Sequence, residues 1–120
     1  MNLKNITLKT AELGPVEWND VEKLQPSING FICFISADTI TKVDNDGVEY
    51  TALIGNYIQT PFDHAPSYKE MINYIIQQEY PNGKEAQLLR IGVHNPNDKE
   101  YLDYYSDVEQ IAEEVKQLLA

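Results

Sequence analysis

The chain has 120 residues, is 42% hydrophobic and 23% charged, and carries a formal net charge of −10 with a pI near 4.4. This is the composition of one globular domain, long enough to bury roughly two-thirds of the surface its unfolded chain exposes, and it excludes wholesale disorder. A strongly negative field repels nucleic acid and anionic lipid, so the sequence predicts no direct nucleic-acid or membrane partner and points instead to protein partners, including self-association.

One cysteine, Cys33, excludes an internal disulfide framework and suits a reducing compartment. The opening MNLKNITLKT lacks the long apolar core of a signal peptide, and no run reaches the length of a membrane span. Synthesis in the cytoplasm is expected.

Ile6-Thr7-Leu8-Lys9-Thr10 alternates like an edge strand that Pro15 breaks. Trp18, Val21 and Leu24 share one side of a short helical turn closed by Pro26, with Trp18 as a core anchor. After the Asn29-Gly30 turn, FICFIS reads as a strand buried on both faces, and Asp38–Val43 continues it in alternation. Asp44-Asn45-Asp46-Gly47 then turns the chain into a return strand, Val48–Ile58, in which Gly55 marks a bulge or bend.

Thr60–Pro66 is a proline connector, and everything after it reads as helix. Ser67 and Glu70 form a capping box ahead of an apolar stripe of Tyr68, Met71, Ile72, Ile75, Ile76 and Tyr80, ended by Pro81-Asn82-Gly83. A short helix from about Lys84 carries Ala86, Leu88, Leu89 and Ile91, with Gly92 as its stop. Asn97 and Glu100 repeat the capping logic for a last helix whose stripe is Tyr101, Tyr104, Val108, Ile111, Val115 and Leu118, widened by Tyr105, Ala112 and Leu119. The fold class expected is α+β: a small antiparallel sheet or hairpin over residues 1–60, then three helices over 61–120, in a single domain. Met71, Ile72, Ile75 and Ile76 should face Tyr104, Val108, Ile111 and Val115, with Leu88 and Leu89 closing the core.

Candidate chemistry is sparse. His64 follows Asp63, but neighbouring side chains usually point apart, and His94 is the only other histidine. Cys33 sits in the most apolar strand, where burial raises a thiol's pKa and makes it inert. The acidic turn at Asp44 fails as an EF-hand loop, because Lys42 and Leu53 stand where its first and last ligands belong. No catalytic, cofactor-binding or metal residue is assigned, and neither an enzyme activity nor a small-molecule substrate is expected. Glu100, Asp103, Asp107, Glu109, Glu113 and Glu114 fit the solvated face of an amphipathic helix. Tyrosine is more distinctive: of eight, Tyr68, Tyr74, Tyr80, Tyr101, Tyr104 and Tyr105 lie in the helical half. Tyrosine buries its ring and keeps its hydroxyl wet, which suits helix packing near a surface and protein interfaces alike.

The order of the helical half carries one resemblance. S-Y-x-E before an aliphatic helix, Ile75-Ile76, Tyr80, then Ala86-x-Leu88-Leu89-Arg90, and finally Glu100-Tyr101 with Tyr104-Tyr105 resembles a C-terminal segment of uncharacterised phage and prophage proteins, particularly of gut Bacteroidota. It covers roughly residues 66 to 116. The resemblance implies a phage or prophage structural or assembly protein that acts by contact, with incorporation into a virion, and it carries over no active-site residue. Arg90, the only arginine, is the matching charged position, and it could pair with the acidic helix or with a partner's carboxylate. The interface candidates are Tyr101, Tyr104, Tyr105, Leu118, Leu119 and Arg90. The competing expectation is a small acidic inhibitor, an immunity protein or DNA-mimicking antagonist, binding a basic partner through its carboxylates.

Overall fold

A computed structural model describes residues 1–120. The architecture is α+β: a four-stranded antiparallel sheet, β1 (Lys9–Gly14), β2 (Leu24–Ser27), β3 (Gly30–Val43) and β4 (Glu49–Thr60), followed by α1 (Tyr68–Glu79), α2 (Lys84–His94) and α3 (Lys99–Leu118). Two compact units result, Leu8–Ala65 holding the sheet, and Pro66–Ala120 together with Met1–Thr7 holding the helices. None of the helices is long and apolar enough to cross a membrane.

The long hairpin β3–β4 organises the sheet unit. Its turn is closed by the Asp44 carboxylate, whose Oδ1 accepts from the N–H groups of Asp46 and Val48, both at 2.9 Å, while Gly47 supplies the positive φ of 79°. The acid that suggested calcium is thus occupied by its own backbone. In the strand order β1-β4-β3-β2 the hairpin lies in the middle and the two short strands form the edges.

The sheet unit differs from the sequence reading in several places. β1 begins at Lys9, not Ile6, because the residues before it are captured by the helical unit: the N–H groups of Lys4 and Asn5 donate to Glu79 Oε2 at 3.0 and 2.9 Å. Pro26 does not close a helical turn. Only Trp18–Asp20 form one 3-10 turn, and Pro26 lies inside edge strand β2. The Phe34 N–H donates to Lys23 O at 2.8 Å, so the odd-numbered residues of β2 turn toward β3 and the missing N–H of Pro26 falls on the outer side, where it costs nothing. Trp18 is no core anchor either; it is half-buried, with the Lys23 ammonium 4.2 Å from its ring centroid.

Gly55 does not form a bulge in its own strand. The extra residues lie on both neighbours, where register shifts between Phe34 and Ser36 in β3 and between Glu12 and Gly14 in β1. Gly55 lies beneath the Phe34 ring, so close that a Cβ would stand 2.5 Å from it. Phe34, itself 1% exposed, packs edge-on to Tyr57 at 5.5 Å between centroids. Cys33, Phe34, Ala52, Leu53 and Ile58 are the buried core of this unit.

In the helical unit α3 packs against both α1 and α2. Tyr68 at the start of α1 lines one groove with Ala112 and Lys116, while Tyr80 at its end meets Tyr104 and Asp107, so α1 and α3 run antiparallel. Met71, Ile72, Ile75, Ile76, Leu88, Tyr104, Ile111 and Val115 form the core. The Ser67–Glu70 capping box is present with both of its hydrogen bonds. The cap of α3 is Asp98 rather than Asn97; its Oδ2 accepts from the Tyr101 N–H at 3.2 Å. Gly92 does not stop α2, which runs on to His94, because the glycine makes room for the Tyr101 ring against the helix.

Candidate protein-binding surface

The helical unit carries the residues that sequence patterning marks for contact, and it sorts them into two roles. Tyr104 is buried, edge-on to Tyr80 with 5.0 Å between ring centroids. The Tyr80 hydroxyl donates to Asp107 Oδ2 at 2.6 Å, and the Tyr104 hydroxyl is held by Glu85. Burial, reinforced by these carboxylates, raises the pKa of both phenols above its ordinary range. Both therefore stay neutral donors and fasten α1, α2 and α3 together.

The other candidates lie nearer the surface. Tyr101 is half-buried over Gly92, and its ring sits 6.2 Å from that of the exposed Tyr105, whose phenol pKa is raised by the Glu109 carboxylate. Leu118 and Leu119 are half-buried at the end of α3. Arg90 is exposed on α2; ion pairs in this unit include Lys84–Glu100 at 3.9 Å, Lys99–Asp103 at 3.3 Å and the N-terminal ammonium of Met1 with Glu114 at 2.7 Å.

Three apolar side chains that sequence patterning did not assign to an interface join Tyr105 here. Leu89 and Val93 are on α2, the helix of Gly92, and Leu102 and Tyr105 are on α3, the helix of Tyr101, and the four are between 46% and 80% exposed. Leu89 was expected to close the core; Leu88 alone does so, because one residue along a helix is a rotation of about 100°. The available signal was negative: Val93 and Leu102 are apolar positions outside either helix's stripe. Glu100, Asp103, Glu109 and Glu113 are also exposed on α3. The helical unit also has a shallow cleft of about 180 Å³ between Lys4, Tyr80, Lys84, Glu100 and Asp103 and a groove of about 430 Å³ along Tyr68, Glu109, Glu113 and Lys116.

The catalytic candidates are not brought together. Contrary to the expectation that they diverge, His64 Nδ1 and Asp63 Oδ1 meet at 2.8 Å, but on the exposed connector. The imidazole holds the Asp63 carboxyl below its usual range, the opposite of what a general base requires. Cys33 is fully buried, and desolvation pushes its thiol up to about 11, so the inert reading applies. No group of three or more histidine, cysteine or carboxylate side chains is assembled for a metal ion.

Comparison of the chain with protein families, with curated proteins and with solved structures finds no match.

Proposed function

We propose that the chain is a non-enzymatic phage or prophage structural or assembly protein that works through protein–protein contacts. The observation that carries this reading is the exposure of Leu89, Val93, Leu102 and Tyr105 on α2 and α3, the two helices that meet where Gly92 lies against Tyr101. Large apolar side chains left exposed on neighbouring helices are the makings of a binding surface, and tyrosine is favoured at such sites. The resemblance of residues 66–116 to phage and prophage segments supplies the setting. The test is recovery of the tagged chain from induced cells: it should come down with virion or prophage-encoded proteins, and Val93→Asp combined with Leu102→Asp should abolish that recovery. Recovery of the chain free of any phage protein would sink the reading.

A second reading is favoured by the exposed Glu100, Asp103, Glu109 and Glu113 on α3. An acidic inhibitor would use them against a basic site on one protein, with binding that weakens steeply as salt rises. Equal affinity at low and high salt would remove it.

A further inference from the structure

The outer side of β3 is the longest uncovered sheet edge in the chain. β2 pairs only with Gly30–Cys33, and the Phe34 N–H to Lys23 O bond extends that ladder by one step. From Ala37 to Val43, β3 pairs with β4 alone. The Asp44 N–H donates to Val48 O at 3.0 Å, which fixes the alternation. Asp38, Ile40 and Lys42 turn their backbone groups toward β4, so Ala37, Thr39, Thr41 and Val43 turn theirs outward. The two outer strands are guarded: β1 is interrupted by its bulge at Leu13 and followed by Pro15, and β2 is short and holds Pro26. The stretch of β4 that β1 leaves open beside the hairpin turn, residues 49–52, is only four residues long. The open stretch of β3 has threonine, isoleucine and valine, strong strand formers, and Asp38, Thr39, Thr41 and Val43 are exposed.

The side chains along this edge select the occupant. Asp38-Thr39-Ile40-Thr41-Lys42 is self-complementary when laid antiparallel on a copy of itself about Ile40. Asp38 then faces the partner's Lys42, Thr39 faces the partner's Thr41, and Ala37 faces the partner's Val43. The backbone agrees with this register, since outward-turned residues meet outward-turned residues, the condition for hydrogen-bonded pairs. Asp38 and Lys42 fall at the intervening positions, where opposed Cβ atoms approach to about 4.5–5.5 Å. Sliding the register by two residues sets Asp38 against Ile40 and loses both charge pairs. Lysine on an edge ordinarily wards off a second strand, but here each charge meets its opposite.

We propose that the chain forms a two-fold symmetric dimer by antiparallel pairing of the Ala37–Val43 edge of β3 with the same edge of a second copy, its register set by Asp38 and Lys42. The contact is isologous and closes on itself, joining two four-stranded sheets into one. Within one copy Lys42 lies 2.7 Å from the Glu12 carboxylate and Asp38 accepts from Asn56 at 3.2 Å; these are exposed interactions that can be exchanged at little cost. The dimer does not depend on the assembly role proposed above, which uses the helical unit.

Sedimentation velocity and light scattering from micromolar to sub-millimolar concentration test it. The parent chain should pass from monomer to dimer. Asp38→Lys and Lys42→Asp each set like charges opposite each other twice, and each should weaken the dimer by at least about tenfold. An equimolar mixture of the two variants should form a heterodimer, and the double variant D38K/K42D should dimerise again. Thr39→Pro removes an outward N–H that β4 does not use and should leave a folded monomer by circular dichroism. Glu12→Gln, which frees Lys42 from its internal partner, should leave the dimer intact. A parent that stays monomeric throughout would overturn the proposal, as would a dimer that survives Thr39→Pro and both single charge changes, or a mixture that fails to pair.

Discussion

The sheet unit and the helical unit bury their aromatic residues in different ways. In the sheet, Phe34 has no polar end; it lies on bare backbone at Gly55 and edge-on to Tyr57, fully enclosed. In the helices, Tyr80 and Tyr104 bury their rings and tie their hydroxyls to Asp107 and Glu85. One unit is fitted by shape and the other is fastened by charge-assisted hydrogen bonds. The sheet unit should therefore respond to a change of volume, and the helical unit to a change of protonation.

The largest expected effect tests the first half of that contrast. Gly55→Ala puts a methyl group into the Phe34 ring, which has no room to retreat, and should cost about 3 kcal/mol by denaturant unfolding. Cys33 offers a second measurement in the same unit. Burial pushes its thiol up to about 11, so alkylation near neutral pH reports opening of the sheet and should accelerate in step with the lost stability. Unchanged stability would mean that Phe34 can move, and the contrast would be lost.

The second half is tested by pH. The phenol pKa values of Tyr80 and Tyr104 are raised in the folded state above the value of about 10 expected when unfolded. The stability they contribute is fully present below about pH 10 and is lost as pH rises from there through the folded pKa, because the unfolded chain releases those protons first. Tyr80→Phe with Tyr104→Phe should flatten that alkaline decline. At neutral pH Tyr80→Phe alone, which gives up the 2.6 Å bond to Asp107, should cost about 1.5 kcal/mol. A decline of the same slope in the double variant would place the alkaline weakness elsewhere.

Helix caps give a smaller effect and show where the sequence is legible. Ser67→Ala should cost about 1 kcal/mol, read by thermal unfolding of the helical signal. The Ser67–Glu70 box could be read directly, because a cap and its reciprocal acid are local and the stripe behind them has one period. Asp98 was displaced by one position from Asn97, since both residues cap well and only the folded turn shows which side chain reaches the Tyr101 N–H. The hairpin turn was legible for the same local reason. Strand register was not: the bulges at Ile35 and Leu13 depend on where a glycine lies in a neighbouring strand, and no local pattern encodes that. The tyrosines were half legible. Their place in the helices follows from the apolar stripes, but tyrosine abundance could not separate Tyr104, which is buried, from Tyr105, which is exposed, although they are adjacent.

Gly92 brings the contrast to its smallest expected number. Like Gly55 it lies against an aromatic ring, here that of Tyr101, and a Cβ built on it would overlap that ring. Two differences offset the clash. Tyr101 is half-buried, so its ring can swing toward solvent, whereas Phe34 cannot. Gly92 is also inside α2, where alanine is favoured over glycine by about 1 kcal/mol, an advantage the strand position of Gly55 lacks. Gly92→Ala should therefore change stability by no more than about 0.5 kcal/mol in either direction, the clash and the propensity roughly cancelling. Tyr101→Ala in that background should expose the propensity gain alone, as a G92A step that is now stabilising. If Gly92→Ala instead costs as much as Gly55→Ala, Tyr101 is clamped as firmly as Phe34, and the helical unit too is fitted by shape.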